Sequence, residues 1–163
     1  MTIESFENFL LEQLKVIYEL ELEYKQLIPK LKEKTDNLKL IEILEGHKIT
    51  AISNAKKIEN LEFVAEYNFD EAENAETKCL LDCFYSYLNN ESIIDYGILC
   101  FLDKINAYKS ATYNTVIKLS RKIKYFSDYQ ILQNLNNHNY NMIDKYHRFE
   151  NDNYDLELLD EEE

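Results

Sequence analysis

The sequence predicts an all-α protein: an antiparallel four-helix bundle made of two helical hairpins, with a short crossover helix between them. Three observations carry this. The chain of 163 residues holds 2 Gly and 1 Pro, too little turn chemistry for a β-sandwich or an α/β sheet. Apolar residues recur at helical spacing through several long segments. The length suits one hydrophobic core and is short for two, so residues 1–150 are expected to form a single bundle, with 151–163 as a mobile acidic tail.

The first long helix is expected from Thr2 or Ile3 to about Lys34. Phe6, Leu10, Gln13, Ile17, Tyr24, Ile28 and Leu31 share one face at about 100° per residue. Glu21 stands on the flank of that face between Leu14 and Ile28. An ionised carboxylate taken out of water costs several kcal/mol, roughly, unless it is paired, so another part of the chain or a metal must answer it. Pro29 lacks an N–H, which predicts a bend near the end of this helix. Leu11, Tyr18 and Leu22 form a second strip, suited to a crossover helix or a second subunit.

Asp36 is the expected N-cap of a second helix over about 37–61, whose inward arc holds Leu40, Ile41, Leu44, Ala51, Ala55 and Ile58, with His47 among them. Periodicity fades over 62–76, read as an acidic crossing loop, and a short helix follows over about 77–88 with Cys79, Cys83, Phe84 and Tyr87. A long helix over about 92–122 places Ile94, Ile98, Phe101, Leu102, Ile105, Tyr108, Thr112, Val116 and Leu119 on one arc, and Lys109 projects into its middle. Ser127 and Gln130 fit a capping box opening the last helix, to about Phe149. Its inward stripe is Ile131, Leu135, Met142, Tyr146 and Phe149; His138 lies at the stripe's edge, and the asparagines around it are read as a solvated face.

Charge narrows the partners. Against 18 Lys and Arg stand 31 Asp and Glu, for a net charge of -13, which argues against nucleic acid and anionic membranes. Eight of the acids lie in 150–163, and without them the remaining chain carries -5. The opening MTIESFENFL has no basic region ahead of an apolar run, so the expected location is cytoplasmic. Three cysteines do not make a disulfide framework, and Cys79 and Cys83 are expected as small buried apolar residues.

Glu21, His47, Lys109 and His138 thus each place an ionisable group in or beside a buried arc. Glu21 and His47 lie 14 and 12 residues from the turn near Thr35; Lys109 and His138 lie 15 and 14 residues from the turn near Lys124. At about 1.5 Å per residue all four sit about 20 Å from their turns, which predicts one mid-bundle polar layer. Such layers are where ferritin-like bundles hold two metal ions.

The run FENFLLEQLKVIYELELEYKQLIPKL resembles the opening of the YciE/YciF-type ferritin-like bacterial stress-response family. Its members read Leu-Tyr-Asp-Ala-Glu and then Leu-Pro-Lys, where this chain has Ile17, Tyr18, Glu19, Leu20, Glu21 and then Ile28, Pro29, Lys30. The likeness continues at His47, at Lys78 and Cys79, and at Lys104, Ile105 and Tyr108. It implies a ferritin-like bundle with a di-metal centre of iron or manganese.

The departures fall on the ligands. In place of the family's Glu-His-Tyr-Glu run stand Asn106, Ala107, Tyr108 and Lys109; in place of a Glu-Glu pair stand Asn137 and His138; and Thr50 stands three residues after His47. Three readings follow. In the preferred one the layer is protein-only, with no cofactor: Lys109 pairs with Glu21 while His47 and His138 complete the hydrogen bonds, and the bundle acts without catalysis, as a homodimer or on a protein partner. In the second, Glu21, His47 and His138 hold a residual metal site for an oxidase, a peroxide-removing enzyme or a metal store. In the third, the acidic surface and tail serve an interaction or immunity-type role.

Overall fold

The computed structural model describes residues 3–66, 75–85, 88 and 93–154. Among them are six helices: α1 (Ile3–Lys32), α2 (Leu38–Glu59), α3 (Glu62–Glu66), α4 (Ala75–Tyr85), α5 (Ile94–Lys122) and α6 (Phe126–Tyr154). The four long ones form a four-helix bundle. Helices α1 and α2 make one hairpin and α5 and α6 the other, with α1 packed on α5 and α2 on α6. Neighbours run antiparallel: Thr35, in the α1/α2 turn, donates through Oγ1 to Asp95 in the first turn of α5. The chain therefore crosses the length of the bundle between α2 and α5, and α4 packs beside α1 and α5 on that route.

Both inter-helix turns are set by local chemistry. At the first, the N-cap of α2 is Asn37, whose side chain accepts from the amides of Lys39 and Leu40, both at 3.2 Å. The expected Asp36 is exposed one residue too early to reach those amides. At the second, Lys124 adopts φ 71° and the amide of Tyr125 donates to the carbonyl of Ser120 at 3.0 Å, a helix-ending motif usually built with glycine. Helix α6 begins at Phe126, so Ser127 is inside its first turn and donates through Oγ to Glu62 at 2.8 Å; the expected capping box does not form.

The segment read as a loop from 62 begins with a helical turn, α3. Asp128 of α6, 2% exposed, fixes it by accepting from the amides of Glu62 and Phe63, each at 2.9 Å. Residues 67–74 of that expected loop lie outside the described residues, as do Asn89, Asn90 and 155–163. Cys79 is exposed on α4, against the expectation of burial; Cys100 is partly buried, and the side chain of Cys83 lies outside the described residues. The second strip of α1 is used within the chain: Leu11 and Tyr18 pack against the core, and Tyr18 donates to Glu59 at 2.5 Å.

Two apolar clusters fill the bundle. One, toward the α1/α2 turn, includes Leu20, Ile28, Leu44, Phe101 and Tyr146. The other, toward the α5/α6 turn, includes Leu10, Leu14, Ile58, Val116 and Leu132. The polar layer lies where they meet. Because an L-residue pays roughly 1 to 2 kcal/mol in the left-handed region, Lys124→Gly should raise the unfolding free energy by about 1 kcal/mol, read as a higher urea midpoint with unchanged slope.

Candidate functional site: a buried polar layer

Helix α1 places Glu21 at mid-length, 0% exposed, and α5 places Lys109 opposite it, 2% exposed. Lys109 Nζ lies 2.8 Å from Glu21 Oε2. That oxygen has no hydrogen-bond partner apart from this ion contact. Oε1 accepts from Asn54 Nδ2 of α2 and from the Tyr113 hydroxyl of α5, each at 3.1 Å. The ammonium also rests 4.7 Å from the centre of the Tyr24 ring, a cation–π contact that is strengthened away from water. Each charge is thus met by its opposite and by oriented dipoles.

Further polar contacts extend toward the α1/α2 turn. The Tyr24 hydroxyl donates to Asn106 Oδ1 at 3.3 Å, and Asn139 Nδ2 of α6 donates to Ser110 Oγ at 2.6 Å and to the carbonyl of Asn106 at 3.3 Å. His47 is buried between Tyr24 and Tyr146, with ring centres 5.9 and 6.3 Å away. Its Nε2 has no hydrogen-bond partner, and neither do Asn54 Oδ1 and Asn106 Nδ2.

Burial sets the protonation states. It pushes the His47 imidazole down to about 3, helped by the positive charges of Lys109 and Lys145, so His47 is neutral near pH 7. It pushes the Tyr24 and Tyr113 phenols well above their usual range, and the Glu21 carboxylate adds to both. Those hydroxyls are therefore fixed as donors.

Of the residues expected in the layer, Glu21 and Lys109 are in contact, His47 is buried one step away, and His138 is exposed. The α6 residue facing inward is Asn139, 2% exposed, in a stripe of Leu132, Leu135, Asn139, Met142 and Tyr146. That stripe alternates three- and four-residue steps; His138, one residue off it, is turned by about 100°. The reading of the asparagines as a solvated face fails for Asn136 and Asn139, which are buried. Asn54, Tyr113 and Asn106 are partners the sequence reading did not single out. Their signal lies in spacing: Asn54 is seven residues from His47, and Tyr113 and Asn106 are four and three from Lys109.

The layer does not fit a di-metal centre. Among the described residues its carboxylate is Glu21, engaged at both oxygens, His138 is outside, and no three His, Cys, Asp or Glu side chains of those residues are grouped to hold an ion. A cation at Glu21 would have to displace an ammonium already 2.8 Å away.

These features define a ferritin-like antiparallel four-helix bundle. The chain belongs to the family described as Domain of unknown function (DUF892), which it matches over residues 5–154. Its fold is similar to that of YcfI from Rhodopseudomonas palustris, at 18% identity and a TM-score of 0.76, covering 89% of this chain and 92% of that one. It is likewise similar to the E. coli stress protein YciF, at 18% identity and a TM-score of 0.73, covering 87% and 90%. No curated protein sequence matches the chain significantly. The resemblance read from the first helix is therefore met at the level of family and fold.

Removing one member of a buried ion pair strands the other. Lys109→Met should cost roughly 3 to 5 kcal/mol in urea unfolding, and Glu21→Gln in that background should recover part of it; additive losses would show that the two do not act as a pair. The unfolded chain protonates His47 near pH 6.5, whereas the folded one resists until about 3. Its contribution is therefore complete above pH 6.5 and is lost as pH falls, by about 1.4 kcal/mol per unit. His47→Phe should reduce the slope of stability against pH by up to about that amount between roughly pH 6 and pH 4; equal slopes in the two proteins would refute it.

Proposed function

We propose that this chain is a non-catalytic ferritin-like bundle of the stress-protein kind, in which a protein-only charge pair takes the place of a metal centre. The observation that carries this is the 2.8 Å contact of Lys109 with Glu21. In metal-bearing bundles of this type, several carboxylates and histidines from facing helices converge on two cations. Here α5 brings a cation of its own to Glu21, the carboxylate that the described residues place in the layer, and α2 and α6 bring the amides of Asn54 and Asn139. Neutral amides do not balance the charge of two divalent ions. The name of YciF supports a stress-related setting as a proposal for this chain.

With its core committed to structure, the bundle acts through its outer faces, on a second copy or on another protein. Its net charge of -13 favours a partner other than nucleic acid or an anionic membrane.

Elemental mass spectrometry tests the proposal, on protein purified without chelator and again after incubation with Fe(II) or Mn(II) and gel filtration. The expected result is no stoichiometric metal in any sample. Two ions per chain, lost in Glu21→Gln, would overturn it in favour of an oxidase or metal store.

A further inference from the structure

Acids outnumber bases over the whole chain, yet residues 117–126, which close α5 and open α6, read IKLSRKIKYF, with four basic residues and no acid. Lys118, Arg121, Lys122 and Lys124 are all exposed, and among the described residues none of them is in an ion pair. Positive charge in the last turn of a helix, as with Arg121 and Lys122 of α5, is ordinary, because it faces the helix carbonyls. Lys124 is not ordinary. It stands past the end of α5 at φ 71°, where glycine would serve the turn better. A side chain held there against the preference of its backbone points to a use for that side chain.

The same end of the bundle carries an apolar recess. A cavity of about 240 Å³ is lined by Phe6 of α1 with Lys122, Ile123 and Lys124. The Lys122 ammonium lies 4.1 Å from the centre of the Phe6 ring, so the recess has an aromatic wall and a cationic lip. Phe9, three residues on from Phe6 and on the same side of α1, is 44% exposed, and Phe126 is 61% exposed. Asp128 gives the patch no counter-charge, since it is buried and accepts from the amides of Glu62 and Phe63.

At physiological salt, charges are screened over about 8 Å, so a group approaching this end meets the four cations rather than the net charge of -13. A membrane or a nucleic-acid duplex would also press its negative charge against the acids of the remaining surface. A short segment covers the patch alone.

We propose that this end of the bundle is a docking site for a short acidic segment of another protein, one with a bulky apolar side chain among its carboxylates. The apolar side chain enters the recess against Phe6 and Ile123, and the flanking carboxylates meet Lys118, Lys122 and Lys124. This rests on the reading that the bundle acts through its outer faces, and it is decided by binding, whereas that reading is decided by the metal content of the polar layer.

The probe is a fluorescein-labelled peptide, Gly-Glu-Asp-Glu-Phe-Glu-Asp-Glu-Gly, titrated with the full chain. Saturable binding is expected, weakened at least roughly fivefold when serine replaces the phenylalanine, and lost on going from about 50 to about 500 mM salt. Lys124→Gly should weaken binding roughly threefold to tenfold while raising the urea midpoint, so that the loss cannot come from unfolding. Lys145→Gln, which removes a cation from α6, should leave binding unchanged. No binding of the peptide, or binding that Lys124→Gly leaves intact, would overturn the proposal. So would displacement of the peptide by phosphatidylcholine–phosphatidylserine vesicles, which would assign the patch to a membrane surface. Self-association of the chain that Lys124→Gly abolishes would overturn it in favour of an acidic face on a second copy.

Discussion

Glu21 is a carboxylate with no exposure to water at the centre of a helical bundle, and the rest of the interior is arranged around that fact. Lys109 supplies the opposite charge, Asn54 and Tyr113 supply donors, and the Tyr24 ring faces the ammonium. These partners come from three helices. Sliding α1 by one turn against α5, about 5.4 Å, would leave both charges buried and alone. The layer thus fixes a register that the apolar clusters on either side, rich in interchangeable leucine and isoleucine, define less sharply. Buried polar groups of this kind are best known for specifying register rather than for adding stability.

The same layer separates fold from function. A bundle of this architecture can hold metal, and likeness at 18% identity to YcfI and YciF establishes architecture alone; function has to be argued from the site. The charge balance here is closed from within. Lys109 neutralises Glu21, while His47 stays neutral because burial and the nearby ammonium both oppose its protonation.

The amphipathic period made much of this legible. A charged residue inside an apolar arc is visible in any single helix, and Glu21, Lys109 and His47 were each readable that way. Matching their distances from the turns suggested that they meet. The period could not settle α6, because both 138 and 139 are compatible with Leu135 and Met142. Three- and four-residue steps through Leu132 favour Asn139, and the packing of α6 on α2 and α5 selects it. Asn54 was hidden for a different reason: an asparagine near an arc reads as solvent-facing until a buried acid is known to stand opposite it. The first cap shifted by one residue, from Asp36 to Asn37, because two residues of similar capping ability are adjacent there; at the second turn the left-handed Lys124 ends α5 and α6 opens at Phe126, ahead of Ser127.

By itself the sequence determined that the chain is helical, where its four long helices lie, and that a carboxylate and an ammonium were to be buried in two of them; turn-poor composition and a 3.6-residue period are properties of the chain alone. Which side chains answer those charges was decided by tertiary structure. A hydrogen bond depends on the rotation of one helix against another to within a fraction of a turn, and that rotation is a compromise among all the helices packed together. Asn54, Tyr113 and Asn139 hold their places, and His138 is left in water, because of that compromise.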